Sequence, residues 1–296
     1  MSEIQMGTIQ WFPGHMTKTR RMIAANLSLV DAVVEILDAR IPSSSQNPEM
    51  QRLVKEKPRM LLLNKADMAD PNATARWVQY YQKQNLLALP LDCKTGKGIK
   101  QFVPMVRNQL LKPLMEKRAK AGIVGAPIRL MIVGIPNVGK SSFINRMAQS
   151  KKAKVEDRPG VTRTKQWVKI GDQMELLDMP GVLWPKFDDQ EVAKRLAFTG
   201  AIKDDIMDLE SLAMLLLEFL AERYPKALET RYKMQVSDAD SGLQLLEQLG
   251  RKRGMLISGG EVNYERAAIT VLDEFRSGTL GRLTLCLLYT SPSPRD

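Results

Sequence analysis

Short apolar runs without alternation dominate the first half of the chain, and longer helical periodicity dominates the second. Residues 30–38 (Val30-Asp31-Ala32-Val33-Val34-Glu35-Ile36-Leu37-Asp38) and the run Met60-Leu61-Leu62-Leu63 leading into Asn64 predict mostly buried strands. Between them the pattern predicts a loop from Ile41 and a short helix near residues 48–55. A third strand is expected around residues 86–91, an amphipathic helix over 99–115 and a basic, glycine-bearing connector over 117–127. The apolar run at 128–133 predicts a strand feeding a glycine-containing loop, with a helix opening over 140–147. Residues 166–170 and 173–177 predict a hairpin turning at Gly171-Asp172. Beyond Trp184 the spacing changes: Leu209, Leu212, Ala213, Leu216 and Leu220 repeat at three and four, as do Leu243, Leu246 and Leu249.

Strand and helix alternating at this spacing predict an α/β fold over residues 1–184, with a mostly parallel sheet and helices on both faces. Residues 185–284 read as a separate, small all-helical domain. The last stretch, 285–296, has neither periodicity nor caps. It resembles translated adapter sequence and is expected to be a non-native tail, with the native terminus beyond about residue 285.

Chemistry enters with Gly134-Ile135-Pro136-Asn137-Val138-Gly139-Lys140-Ser141, which fits the phosphate loop G-x-x-x-x-G-K-[ST]. Such a loop between strand and helix binds phosphate because backbone N–H groups, here those from Asn137 and Val138 through Gly139, Lys140, Ser141 and Ser142, converge on its oxygens. Lys140 would reach the β and γ phosphates, and the Ser141 hydroxyl would ligate Mg²⁺. Asp178-Met179-Pro180-Gly181 fits D-x-x-G, whose carboxylate holds Mg²⁺ through water and whose glycine senses the γ phosphate. Thr162 lies between these motifs and would complete the metal shell, with Thr164 the adjacent alternative.

Asn64-Lys65-Ala66-Asp67 fits N-K-x-D, in which the Asp carboxylate accepts both N1–H and N2–H of guanine, an edge adenine lacks. It makes a nucleotide site a GTP site, with the backbone of Cys93, Lys94 and Thr95 closing over the base. In an ordinary GTPase this motif follows the phosphate loop. Here it precedes it by roughly seventy residues, so the fold is expected to be a circularly permuted P-loop GTPase domain.

Two further details bear on turnover. Val182 stands after Gly181, where many small GTPases place a water-orienting glutamine, so unaided hydrolysis is expected to be slow. Asn137 either helps hold K⁺ against the phosphates or stabilises its own loop. His15, the one histidine, is set in Trp11-Phe12-Pro13-Gly14-His15-Met16 ahead of a basic helix. It is either structural or presented beside the nucleotide.

The 296 residues suffice for two cores, and two cysteines, Cys93 and Cys286, suggest neither a disulfide framework nor a metal site. No apolar run spans a membrane and the start lacks a signal-peptide layout, so a cytoplasmic protein with no membrane partner is expected. The net charge of +11 is uneven: residues 186–285 hold 14 Lys or Arg against 17 Asp or Glu. Between Lys140 and Lys169 lie nine basic residues (Lys140, Arg146, Lys151, Lys152, Lys154, Arg158, Arg163, Lys165 and Lys169) and two acids. Such a cluster is either a solvated face or a polyanion-binding one. Its size and the pI of about 9.6 favour a partner such as RNA.

On these residues the chain resembles the YlqF/RbgA family, ribosome biogenesis GTPase A. The carriers are Trp11 to Met16, Asp38-Ala39-Arg40-Ile41-Pro42, Asn64 to Asp67, Gly134 to Ser141, Pro159-Gly160-Val161-Thr162 and Asp178 to Gly181. The resemblance implies GTP hydrolysis coupled to docking on, and release from, a late large-subunit precursor and its rRNA, by a monomer off the ribosome. It also implies that His15 replaces the missing glutamine. Other readings are a GTPase for another RNA, a kinase built on a phosphate loop, and a GTP-holding scaffold without turnover. The Trp-Phe-Pro-Gly-His run argues against the first and Asn64 to Asp67 against the second, while Val182 permits the third.

Overall fold

The computed structural model describes residues 9, 14–54, 57–150, 165–184, 187–237 and 239–288, with the side chains of His15 and Ser150 outside that set. They fall into two compact units. One comprises residues 14–184 with 284–288, the other Ile9 with 187–283.

The first unit is built on a six-stranded sheet. Its strands are β1 (Ala32–Asp38), β2 (Arg59–Asn64), β3 (Leu87–Pro90), β4 (Ile128–Val133), β5 (Gln166–Ile170) and β6 (Met174–Asp178), in the order β3-β2-β1-β4-β6-β5. All neighbours run parallel except β5, which forms the expected hairpin with β6. Every residue of β1 is buried, which explains its unbroken apolar pattern. The chain moves outward from β1 through β2 to β3, then jumps back to β4 on the other side of β1. The cleft beyond the carboxyl ends of β1 and β4 is therefore a topological switch point. Register sets Asp38 opposite Asn64 and Ile132 opposite Asp178, so the ends of four strands share one edge.

Helices α1 (Gly14–Asn26), α2 (Pro42–Ser45), α3 (Pro48–Leu53) and α4 (Pro71–Lys83) precede β3. The last two start where a prolyl residue follows a capping side chain: Asn47 accepts from Glu49 N–H, and Asp70 from Asn72 and Ala73 N–H. The helix expected over 99–115 is interrupted. It forms α5 (Ile99–Met105), a π turn at Val106–Leu110 and α6 (Lys112–Lys120). Pro104 lacks the N–H that an uninterrupted α-helix needs, Leu111 N–H bonds back to Val106 O at 2.8 Å, and Pro113 starts the next segment. Helix α6 thus occupies part of the expected connector, leaving residues 121–127. Arg118 ties that connector down through Asp31 and the Pro127 carbonyl. Helix α7 (Lys140–Ser150) follows β4 and packs against α5 through the edge-to-face pair Phe102 and Phe143.

The second unit contains α8 (Gln190–Phe198), α9 (Leu209–Arg223), α10 (Pro225–Tyr232), α11 (Gly242–Lys252) and α12 (Tyr264–Ser277). Leu212, Ala213, Leu216 and Leu220 of α9 are buried as their spacing predicts. On α11, Leu245, Leu246 and Leu249 form the buried face while Leu243 is exposed, a one-step correction to the expected stripe. Two boundaries also differ from the sequence reading. Ile9 is buried and donates to Gln190 Oε1 at 2.9 Å within the helical unit. Residues 284–288 were expected to be the last of the helical domain and the start of a patternless tail. In the structure they join the first unit: Leu285 N–H donates to Arg40 O at 2.7 Å and Trp77 Nε1 to Cys286 O at 2.7 Å. Neither contact leaves a local periodic signal.

Candidate nucleotide-binding site

β4 delivers the chain into the loop of residues 134–139, and α7 begins at Lys140. Two glycines are sterically required there. A Cβ at Gly134 would stand 2.6 Å from Ile36 O on β1, and one at Gly139, where φ is +96°, would collide with Asn64 Nδ2. Asn137, exposed at the loop tip, is held at φ +60° despite its side chain. The first turn of α7 presents N–H groups without intrahelical partners, the usual donors to an anion at a helix start. Lys140 Nζ folds back onto the loop, donating to Ile135 O at 3.1 Å and Gly134 O at 3.4 Å. Burial pulls its pKa down to about 8, against the opposing charge of Asp178.

Asp178 ends β6 as a buried carboxylate, and Ser141 sits half-buried in the first turn of α7. A carboxylate and a hydroxyl oxygen are both donors of the kind a hard divalent cation takes, with phosphate and water as its usual further ligands. Among the described residues no cluster of three or more His, Cys, Asp or Glu stands ready to hold a metal. Gly181 comes directly against the phosphate loop, since a Cβ there would stand 3.0 Å from Pro136 and 3.1 Å from Lys140 Nζ. Val182 N–H donates to Gly134 O at 3.2 Å.

The Asn64 loop is cross-tied to the phosphate loop. Asn64 is buried; its Nδ2 donates to Val138 O at 2.7 Å and its Oδ1 accepts from Cys93 N–H at 3.2 Å. Lys65, at φ +61°, donates from Nζ to Asn137 O at 2.8 Å and to Asp38 Oδ2 at 2.9 Å. Asn64 and Lys65 therefore act here as struts between loops, while Asp67 is exposed beyond them. Burial alone would raise the Asp38 carboxyl, but Arg40 and Lys65 hold it well below the usual carboxylate range. The following loop is shaped by Asp92, which accepts from Lys94 N–H at 2.7 Å and Thr95 N–H at 3.1 Å. Burial, then Asp92, pushes the Cys93 thiol up to about 12, so it stays neutral.

Sequence reasoning missed the part played by Arg146. Counted there among an RNA-facing run, it instead donates from α7 to the carbonyls of Cys93 and Lys94. With Lys140 buried in its loop, two of the nine cations are spent inside the nucleotide unit. Lys165 is exposed and reaches Asn26 Oδ1 at 3.0 Å. Lys151, Lys152, Lys154, Arg158, Thr162, Arg163 and Thr164 lie outside the described residues, as do Trp11 to Pro13 and the His15 side chain. The backbone of Gly14 and His15 belongs to α1. Asp92 and the Asp38 to Lys65 link were also missed; the only advance signal was an acid closing an apolar strand.

A phosphate loop, an N-K-x-D loop and a D-x-x-G turn meeting at one sheet edge, with the N-K-x-D strand first in sequence, define a circularly permuted P-loop GTPase domain. A family profile described as 50S ribosome-binding GTPase matches residues 129–239, beginning at β4 and leaving out the earlier guanine-type motif. Ribosome biogenesis GTPase A of Priestia megaterium is 48% identical, the match covering 94% of this chain and 96% of that protein. Mitochondrial ribosome-associated GTPase 1 of Mus musculus is 34% identical over 93% of this chain and 89% of its own. The crystal structure of GNP-bound YlqF from T. maritima superposes with a TM-score of 0.60 at 28% identity, covering 90% of this chain and 97% of that one. The chain belongs to the ribosome biogenesis GTPase A family, and it is a GTP hydrolase. Among its described residues no helix is long and apolar enough to cross a membrane.

Proposed function

We propose that this GTPase docks in its GTP-bound form on a late precursor of the large ribosomal subunit, is stimulated there to hydrolyse GTP, and leaves on hydrolysis. The carrying observation is the cross-tied edge of the sheet, where Asn64 and Lys65 bind the carbonyls of Val138 and Asn137. Base, phosphates and switch are thereby read by one connected set of loops. In this reading Asp67 accepts from guanine, with Cys93 and Lys94 alongside, and Gly139, Lys140, Ser141 and Ser142 cradle the phosphates. Ser141, Asp178 and Thr162 hold Mg²⁺, which supplies charge neutralisation on the phosphate oxygens. Asn137 adds a ligand to K⁺. Val182 offers no group to orient water, so His15 takes that role on the subunit. The first unit carries this chemistry. The cations between residues 151 and 169 bind rRNA, the helical unit makes a contact of its own with the subunit, and the protein is a monomer off the ribosome.

The test is GTP turnover by the purified chain with and without large subunits. Slow turnover alone and at least tenfold faster turnover with subunits is expected. Equal rates would remove subunit stimulation and leave a GTP-holding scaffold as the better reading.

A further inference from the structure

The residue after the turn from Asp178 to Gly181 has both backbone groups tied. Val182 N–H donates to Gly134 O at 3.2 Å, and its carbonyl accepts from Asn47 Nδ2 at 3.2 Å. Asn47, Glu35 and Val182 are all buried. The Asn47 side-chain oxygen is already engaged as the cap of α3, accepting from Glu49 N–H at 2.9 Å. Its own N–H rests on Glu35 Oε1 at 3.1 Å, and the other Glu35 oxygen takes Arg59 Nη1 at 3.4 Å. The amide therefore has one satisfied orientation, oxygen on the cap and nitrogen on Val182.

The peptide held in this way brings Gly181 within reach of Lys140. A Cβ there would be 3.1 Å from Lys140 Nζ, while that ammonium spends donors on Gly134 O and Ile135 O. On the GTP assignment, a γ phosphate coming to Lys140 competes with the Gly181 segment for the space beside this ammonium, and a shift of that segment pulls on the Val182–Asn47 bond. A diphosphate, one group shorter, makes no such demand.

We propose that Asn47 is a positioning residue of the nucleotide switch: it holds the Gly181 peptide in the arrangement that suits a nucleoside diphosphate and releases it when a triphosphate enters. This rests on the assignment of the phosphate loop and Gly181 to GTP. A bond made in only one of two conformers shifts their equilibrium by its own free energy. A buried hydrogen bond of ordinary strength corresponds to a shift of about tenfold.

Two variants remove the bond and keep the helix cap. Asn47→Ser retains a capping oxygen but is too short to reach Val182. Asn47→Asp retains the shape and sets a second oxygen against the Val182 carbonyl. Dissociation constants for GDP and a non-hydrolysable GTP analogue, measured on the full chain with thermal midpoints, give the readout. In both variants the ratio is expected to move about tenfold toward the triphosphate analogue. A structural role alone would lower the midpoint and weaken both nucleotides together; a ratio left unchanged, or moved toward GDP, overturns the proposal. Lys140→Ala separates the two assignments. If it binds both nucleotides as the parent does, the GTP-site assignment fails and this proposal with it. If it loses them while Asn47→Ser keeps the parental ratio, only the role of Asn47 fails.

Discussion

Asp67 and Asn64 share a motif and divide its work. Asn64 is buried and spends its amide on Val138 and Cys93, so its contribution is to the loops themselves. Asp67 is exposed, and in the proposed reading it is the group that meets a base. Asp67→Asn is therefore expected to lower GTP affinity about a hundredfold, the scale of a lost charge-assisted pair. It should also gain xanthosine triphosphate, whose C2 oxygen accepts from the new amide. Competition binding with the two nucleotides measures both changes, and an unaltered GTP affinity would end the guanine assignment. Asn64 altered in the same motif should instead loosen both loops.

Strand β1 shows what a pattern can and cannot reveal. Its apolar run marks a buried strand, yet the same run contains Glu35, fully buried and raised to about 7 from its ordinary 4.5 by burial, with Arg59 and the Asn47 N–H opposing. Between those two values the folded state holds a proton the unfolded chain has released, so stability falls as pH rises through the window. From pH 5 to pH 8 the loss is about 2 kcal/mol. Glu35→Gln should remove that slope, read as the difference in urea midpoints between parent and variant at the two pH values. Parallel pH profiles would show that Glu35 stays ionised throughout. The strands, the hairpin and the loop at residue 134 were legible because burial and turn chemistry act through neighbouring residues. Arg146 and Asn47 were not, because their partners at Cys93 and Val182 lie far away in sequence and nothing local distinguishes them from surface polar residues. The helix break was written in Pro104 and Pro113, but helical periodicity across it outweighed them in the sequence reading.

The permuted order of the nucleotide unit rests on one connector. Residues 121–127 join the β3 side of the sheet to β4, and Gly122 and Gly125 have nothing within 4 Å of where a Cβ would stand. Loop closure grows slowly with length, about 0.6 kcal/mol per doubling. Six Gly or Ser residues inserted after Gly122 should therefore change GTP affinity by less than about threefold. A larger loss in nucleotide titration would mean the connector does more than close the chain. Strand order carries a different consequence for a chain made from its amino end. In the finished sheet β1 is central, flanked by β2 and β4. While the polypeptide is being made, residues 32–38 emerge long before residues 128–133, and one side of this apolar strand has no neighbour to pair with. An unpaired apolar edge invites pairing with other nascent chains, and an inward-pointing charge is among the devices that discourage it. Glu35 sits at the middle of that edge. The group that weakens the folded sheet as pH rises is thus also a charge placed on the strand that the half-made sheet leaves open.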